Sequence, residues 1–188
     1  MTKIEREKAL SLVKNYVKNK NSIKHMLALE AIMRTLARKF NEDENLWGIA
    51  GLVHDIDMEI VDYRNVPEEH GKKGADILKE KGFSEEIINA ALAHNEETGK
   101  ERETLLQKAI YCTDPLTGLI VASTLVLPSK KLADLSPESV LKRYKEKAFA
   151  RGADREIIAA CSEIGLSIEE FVETGLASMQ EISDSLEL

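Results

Sequence analysis

The segment Trp47-Gly-Ile-Ala-Gly-Leu-Val-His-Asp-Ile56 is the most informative stretch of this sequence. Its apolar residues predict a buried helix that ends on two polar side chains, His54 and Asp55. Burying an imidazole beside a carboxylate costs free energy unless a partner satisfies both groups. A divalent metal ion is one such partner, so this pair raises the question of whether the rest of the chain supplies further ligands.

Helical spacing of apolar residues continues on both sides of this segment and predicts an all-α fold without a convincing strand. Ser22 is expected to cap the second helix, and Pro115 to interrupt the sixth so that residues 116–127 continue at an angle. The sequence predicts one domain, with a helical core at about 22–127 and an appended helical extension at about 128–188. The predicted helices cover about residues 3–20, 22–40, 43–57, 67–82, a stretch starting at 84, 101–113, 116–127, a short stretch after 137, 154–165 and 167–186.

Composition and charge narrow the class of function. A net charge of −7 argues against binding to nucleic acid or to a membrane surface through bulk charge. The N-terminal residues contain no apolar core of the signal-peptide type, and no segment is long and apolar enough to span a bilayer. Cys112 and Cys161 lack a metal-type spacing and predict reduced thiols in a cytoplasmic protein. The oligomeric state stays open.

Four histidines each fall on a different predicted helix: His25, His54, His70 and His94. Taken singly, each is more simply a surface histidine or a hydrogen-bonded core histidine. However, His25, His54 and His94 lie on or beside core-facing stripes, where an imidazole without a partner is disfavoured. Asp114 adds an acid to an otherwise apolar or neutral run, although a turn before Pro115 also explains its position.

The pattern of His25, the dipeptide His54-Asp55 and Asp114 resembles the HD-domain superfamily of metal-dependent phosphohydrolases, over residues 22 to about 120. The resemblance implies an HD-domain helical bundle in which these four residues hold one divalent ion.

Two further segments resemble the second-metal segments of superfamily members with binuclear sites. They are Glu68-Glu-His70-Gly-Lys-Lys-Gly and Ala91-Leu-Ala-His94-Asn. By this resemblance Asp55, His70 and His94 hold a second ion, with Asp55 bridging both. The binuclear cyclic-dinucleotide phosphodiesterases carry Gly-Lys after His-Asp-Ile and a Gly-Tyr-Pro element. This chain has neither, which argues against cyclic-dinucleotide cleavage.

The resemblance implies hydrolysis of a nucleotide or another small phosphoester, monoester or diester, by a metal-bound hydroxide. Mixed nitrogen and oxygen ligation suits two ions of Fe, Mn, Ni, Co or Zn, with Mg as a further candidate. Besides Asp55, Asp57 is a candidate catalytic residue that orients water, or a partner that hydrogen-bonds a ligand imidazole; a solvated loop position also explains it. The candidates for substrate contacts, weighed against ordinary solvated surface, are Lys130, Lys131, Lys147 and Arg151.

Three other interpretations of the same residues stay open. Some HD-domain proteins are di-iron oxygenases with nearly the same ligands, so ligands and fold alone do not decide the chemistry. A non-catalytic nucleotide-binding regulator would keep the same pocket. An all-α bundle with incidental histidines would hold no stoichiometric metal.

Overall fold

The computed structural model describes residues 6–188, so residues 3–5 of the first predicted helix lie outside the described part. Residues 6–188 contain helices and loops but no strand, which confirms the all-α prediction. The α-helices are α1 (Arg6–Tyr16), α2 (Lys20–Phe40), α3 (Glu44–Val53), α4 (Lys72–Glu80), α5 (Glu85–Ala93), α6 (Leu105–Leu125), α7 (Pro137–Lys145), α8 (Arg155–Ala159), α9 (Ile168–Gln180) and α10 (Ser183–Leu186). No helix within residues 6–188 has the length and apolar character needed to cross a membrane.

The buried helix that the opening segment predicts is α3, and it packs along α2 at close range. Every residue from Trp47 to Val53 is buried. Gly51 permits the close approach, because a Cβ there would lie 3.1 Å from the backbone of Leu29 on α2. Asp43 caps the helix through hydrogen bonds from the backbone N–H groups of Asn45 and Leu46. This packing brings the polar end of α3 beside α2.

The start of α2 differs from the prediction, because Asn19 rather than Ser22 is its N-cap. The Asn19 side chain accepts a hydrogen bond from the backbone of Asn21 at 2.8 Å. Glu59 accepts two more, from the backbone N–H groups of Lys18 at 2.9 Å and Asn19 at 2.7 Å. A carboxylate 40 residues away therefore helps to set this helix end, and it ties the segment after His54-Asp55 to the start of α2.

The predicted interruption at Pro115 is wrong, because α6 is one helix of 21 residues that contains this proline. Proline removes one backbone hydrogen bond and costs about 3 kcal/mol in a helix interior. The neighbouring Ile110, Leu116, Leu119 and Ile120 are fully buried, and their packing outweighs that cost.

The prediction of a single helix over residues 67–82 is also wrong. Pro67–Glu69 forms a separate 3-10 turn, and α4 begins at Lys72. Between them His70 is extended and Gly71 has a φ of 87°, a backbone conformation that strongly favours glycine. The break gives the His70 ring a direction that a continuous helix would not allow.

The last third of the chain packs directly onto the central helices α2 and α6. Phe171 and Val172 of α9 belong to the same hydrophobic core as the residues of α2 and α6. A Cβ at Gly175 would lie 2.7 Å from Leu116, so α9 crosses α6 at close range. The two closing helices are shorter than predicted, since a 3-10 turn follows α8 and α9 ends at Gln180.

Candidate metal centre

Six polar side chains from separate parts of the chain converge at one end of α3. In each of the four histidines the Nε2 atom points to the centre of the group, where the carboxylates of two aspartates meet them. These six residues are the predicted ligands His25, His54, Asp55, His70, His94 and Asp114. The structure therefore brings together every residue that the resemblance placed at a metal.

The first side of the cluster consists of His25 on α2, His54 at the end of α3 and Asp114 on α6. The two imidazole Nε2 atoms lie 3.2 Å apart. Asp114 Oδ1 lies 3.1 Å from Nε2 of His25 and 3.9 Å from Nε2 of His54. Three different helices thus supply this side.

The second side consists of His70 in the turn before α4 and His94 at the end of α5. Their Nε2 atoms lie 3.0 Å apart. Asp55 Oδ1 lies 3.1 Å from the first and 3.3 Å from the second. This side has fewer ligands and is carried by shorter elements than the first side.

Asp55 lies between the two sides. Its Oδ2 is 3.6 Å from His25, and its Oδ1 is 3.4 Å from His54 as well as close to both histidines of the second side. One carboxylate therefore lies within 3.6 Å of four imidazole nitrogens. A two-oxygen ligand in this position is suited to bridging two ions.

The spacing of the donor atoms fits metal ions. Two ligand nitrogens at about 2.1 Å from one ion, at right angles, are about 3 Å apart. The separations of 3.2 Å in the His25–His54 pair and 3.0 Å in the His70–His94 pair match that geometry. Four nitrogens and two carboxylates suit a pair of divalent transition metal ions.

Hydrogen bonds at the opposite ring nitrogen orient the four imidazoles. Nδ1 of His54 donates to the carbonyl of Gly51 at 2.9 Å, and Nδ1 of His94 donates to that of Ala91 at 2.5 Å. Because a carbonyl can only accept, the proton of each neutral ring lies on Nδ1 and the Nε2 lone pair faces the cluster. The same device, a carbonyl three residues earlier, is used at the ends of α3 and α5.

The rings of His25 and His70 have different supports. Nδ1 of His25 lies 2.8 Å from the hydroxyl of Thr117, which donates its own proton to the Asp114 carbonyl. Nδ1 of His70 donates to Asp57 Oδ1 at 2.8 Å.

Asp57 is fully buried, and both of its oxygens are engaged. Oδ2 accepts hydrogen bonds from the backbone N–H groups of Gly71 at 2.8 Å and Gly74 at 2.6 Å. The side-chain amide of Asn95 holds the same turn from the other side, through the carbonyls of Pro67 and His70. The geometry therefore agrees with Asp57 as a partner of a ligand imidazole, one of the roles weighed from the sequence, and not with a solvated loop.

Burial and charge shift the pKa values of the metal-free cluster in opposite directions. Burial lowers the pKa of His54 to about 4, because it disfavours the imidazolium. Burial also acts against the charged form of His70, but hydrogen bonds and charges from Asp55 and Asp57 outweigh it and raise that pKa to about 10. The surrounding histidines lower the pKa of Asp55 against the effect of its burial, so this carboxylate is ionised and ready to bind a cation.

A cavity of about 590 Å³ opens over the cluster, and its lining includes His25, Asp55, His70 and Asp114. Of the four predicted substrate-contact residues, Arg151 lines this cavity, whereas Lys130, Lys131 and Lys147 do not. Lys130 and Lys131 follow the C-terminal end of α6, away from the cluster. Arg151 alone among these four places a cation close to the ligands.

Arg155 holds the loop that carries Arg151. Its guanidinium donates hydrogen bonds to five backbone carbonyls, those of Arg143, Tyr144, Phe149, Ala150 and Ala153. Sequence reasoning did not find Arg155, since no local pattern distinguishes it from a surface arginine. The sequence analysis also did not predict a role for Thr117, although its position three residues after Asp114 places both on one face of a helix.

Comparisons with known proteins agree with this arrangement. The family model of the HD domain matches residues 22–122. Ribonuclease Y of Sulfurovum sp. (strain NBC37-1) is 28% identical over 171 residues, and ribonuclease Y of Lawsonia intracellularis is 32% identical over 142 residues. The matches cover 89% and 73% of this chain but 33% and 26% of the relatives, so the chain spans a third or less of their length.

Two further similarities concern shorter proteins or a single domain. An uncharacterised protein of Methanocaldococcus jannaschii is 36% identical over 96 residues, which cover 48% of this chain and 54% of that protein. Among solved structures, the HD domain of the L. monocytogenes phosphodiesterase PgpH matches with a TM-score of 0.58 and 17% identity. That match covers 93% of this chain and 98% of the other, which shows a shared fold along nearly the whole length.

Proposed function

This chain belongs to the HD-domain family, and we propose that it is a metal-dependent phosphohydrolase that acts on a nucleotide or another small phosphoester at a binuclear site. The observation that carries the proposal is the position of Asp55, within 3.6 Å of four imidazole nitrogens on the two sides of the cluster. A carboxylate there serves two ions at once, which a single-ion site does not need.

Two divalent ions, when bound, supply Lewis acidity and activate water for attack on phosphorus. Their four positive charges exceed the two negative charges of Asp55 and Asp114, so the loaded cluster attracts an anionic substrate. The oriented imidazoles fix the positions of the ions, and the cavity above them admits the substrate. The chain's own residues thus supply binding, orientation and charge.

Arg151 is the residue that we assign to the phosphate. A guanidinium can donate two parallel hydrogen bonds to phosphate oxygens, and this one lies at the cavity wall on a loop that Arg155 holds in place. Asp57 is assigned as a positioning residue for His70 instead of a group that touches substrate, because neither of its oxygens is free.

Metal analysis and a substrate panel test the proposal. Freshly purified protein should contain about two ions per chain and hydrolyse phosphomonoesters or phosphodiesters with Mn²⁺, Co²⁺, Ni²⁺ or Mg²⁺. The variant Arg151→Ala should raise KM, whereas Lys147→Ala, a loss of the same charge on the same loop, should not. An iron-loaded protein that turns over only while consuming O₂ would contradict the hydrolase assignment. A metal-loaded protein inactive on the whole panel would favour a nucleotide-binding regulator.

A second candidate substrate, RNA, is suggested by the relatives named ribonuclease Y. The net charge of −7 and the single arginine among the predicted contacts argue against a long polyanion. Short single-stranded RNA belongs in the panel for this reason. Cleavage of RNA at a rate above that of mononucleotides and other small phosphoesters would favour the RNA phosphodiesterase and replace the small-substrate proposal.

A further inference from the structure

A second cavity of about 500 Å³ lies beside the metal centre, between α2, α6 and residues 186–188. It adjoins the cavity over the ligands, because His25, Thr117 and Gly118 line both. Its volume falls within the range of small-molecule sites. A cavity large enough for a small molecule therefore lies next to the metal centre and shares His25 with it.

The wall of this second cavity is largely apolar. One stripe of α6 runs away from Asp114 and consists of Thr117, Val121 and Leu125, which recur at helical spacing over about 12 Å. Leu125, the last residue of α6, is 50% exposed. A stripe that lines a cavity and leads away from a metal ligand suits the organic part of a substrate whose phosphate lies at the metal.

The charged groups at the far end of the cavity neutralise each other. Lys24 and Glu187 form an ion pair with an N···O distance of 2.6 Å. Asn21 adds a neutral amide to the lining. This pair therefore contributes no unpaired charge to a lining that is otherwise largely apolar.

No contact within residues 6–188 explains the glycine at 118, on the wall shared by both cavities. It lies inside α6 without a positive φ, and a Cβ there would meet nothing within 4 Å. The helical glycines Gly51 and Gly175 differ, because a Cβ at either would approach a neighbour to 3.1 Å or 2.7 Å. Glycine in a helix interior costs about 1 kcal/mol relative to alanine. At the exposed Gly118 it leaves open the space that a side chain would fill where the two cavities adjoin.

We propose that the second cavity holds the organic group of the substrate while its phosphate lies at the metal centre. The apolar lining and the volume of about 500 Å³ suit an organic group of about the size of a nucleoside. This inference rests on the proposed function for the location of the phosphate, but the cavity can bind the organic group by itself.

Binding of adenosine, which carries no phosphate, tests the cavity independently of hydrolysis. Titration calorimetry should show adenosine binding to the full chain with and without metal. Gly118→Leu, which fills the space where the two cavities adjoin, should weaken that binding by about tenfold or more, corresponding to about 1.4 kcal/mol. Ala177→Leu is the matched control, since Ala177 is an exposed helical residue outside both cavities, and it should leave binding unchanged.

Thermal unfolding of Gly118→Ala and Gly118→Leu shows whether these variants fold, and the alanine variant should be at least as stable as the parent. Two results would overturn the proposal: no adenosine binding at millimolar concentration, or binding that folded Gly118→Leu leaves intact. Adenosine binding that depends on Gly118 in a protein without phosphoester activity would instead overturn only the proposed function. In the active protein, Gly118→Leu should lower kcat/KM for adenosine monophosphate more than for methyl phosphate.

Discussion

The two sides of the metal cluster are built in different ways. On the first side, His25 and Asp114 project from α2 and α6, two 21-residue helices at the centre of the core. On the second side, His70 lies on an extended residue between a 3-10 turn and α4. Helix packing holds the first side, whereas His70 on the second side is held by hydrogen bonds that Asp57 accepts and Asn95 donates. The second side should therefore be the more sensitive to loss of a single supporting side chain.

The shared ligand gives the largest expected effect. Asp55→Ala should weaken the binding of both ions by more than about a hundredfold. Losing a direct ligand costs more than the ten- to hundredfold loss of affinity that follows removal of a residue that only hydrogen-bonds a ligand. Metal content after gel filtration should fall from two ions to none, and phosphoester activity should fall to background. The comparison variant Asp114→Ala should lose the first-side ion alone. Retention of both ions by Asp55→Ala would show that this carboxylate does not join the two sides.

Replacing Asp57, which accepts the hydrogen bond from Nδ1 of His70, should affect the second-side ion and not the first-side ion. In Asp57→Asn the amide oxygen can still accept both backbone N–H groups, but the amide nitrogen then faces Nδ1 of His70 and cannot accept its proton, so the second-side ion should bind about ten- to a hundredfold more weakly. Metal titration followed by elemental analysis should show one ion lost and one kept. The control Asp76→Asn changes an exposed aspartate on α4 and should keep both. Equal weakening of both ions by Asp57→Asn would contradict separate support for the second side.

The first side could be predicted from the sequence better than the second. His25 and His54 lie on core-facing stripes, which helical spacing shows directly, and the Gly51 carbonyl that orients His54 lies three positions earlier in the chain. His94 on the second side is oriented in the same way by Ala91, so the difference between the two sides lies in His70. The sequence predicts a helix where the structure has the His70 turn. The positive φ of Gly71 in this turn depends on a tertiary hydrogen bond to Asp57, which a local pattern does not show.

Long-range contacts explain the other differences between sequence and structure. The start of α2 depends on Glu59, and the Arg151 loop depends on Arg155 and five backbone carbonyls, neither of which a local pattern reveals. Pro115 is a strong local signal that the surrounding core overrides. The ligand residue types could thus be recognised from sequence, whereas the groups that orient them mostly could not.

Protonation should also distinguish two of the ligand histidines. At neutral pH the metal-free protein keeps His70 protonated, since its pKa is raised to about 10, whereas His54, with a pKa lowered to about 4, is neutral. An ion must displace the His70 proton, so affinity for the second-side ion should rise about tenfold per pH unit between about pH 6 and about pH 8.

Chelator competition across this range measures the slope, and calorimetry in buffers of different ionisation enthalpy counts the released protons. Asp57→Asn removes one of the charges that raise the His70 pKa, so this variant should release fewer protons when metal binds. An unchanged proton count in Asp57→Asn would show that the displaced proton comes from another group.

The smallest effect is expected from the support of His25. Thr117→Val keeps the shape of the side chain but removes the hydroxyl that accepts from Nδ1 of His25. Because α2 and α6 still position the ring, binding of the first-side ion should weaken by less than tenfold. Tenfold is about the smallest loss of metal affinity expected when a residue that hydrogen-bonds a ligand is removed. Thr113→Val, one turn earlier on α6 with its hydroxyl on the Ala109 carbonyl, is the matched control and should change nothing at the metal. A loss in Thr117→Val as large as that in Asp57→Asn would mean that single hydrogen bonds hold both sides equally, and that helix packing gives the first side no added tolerance.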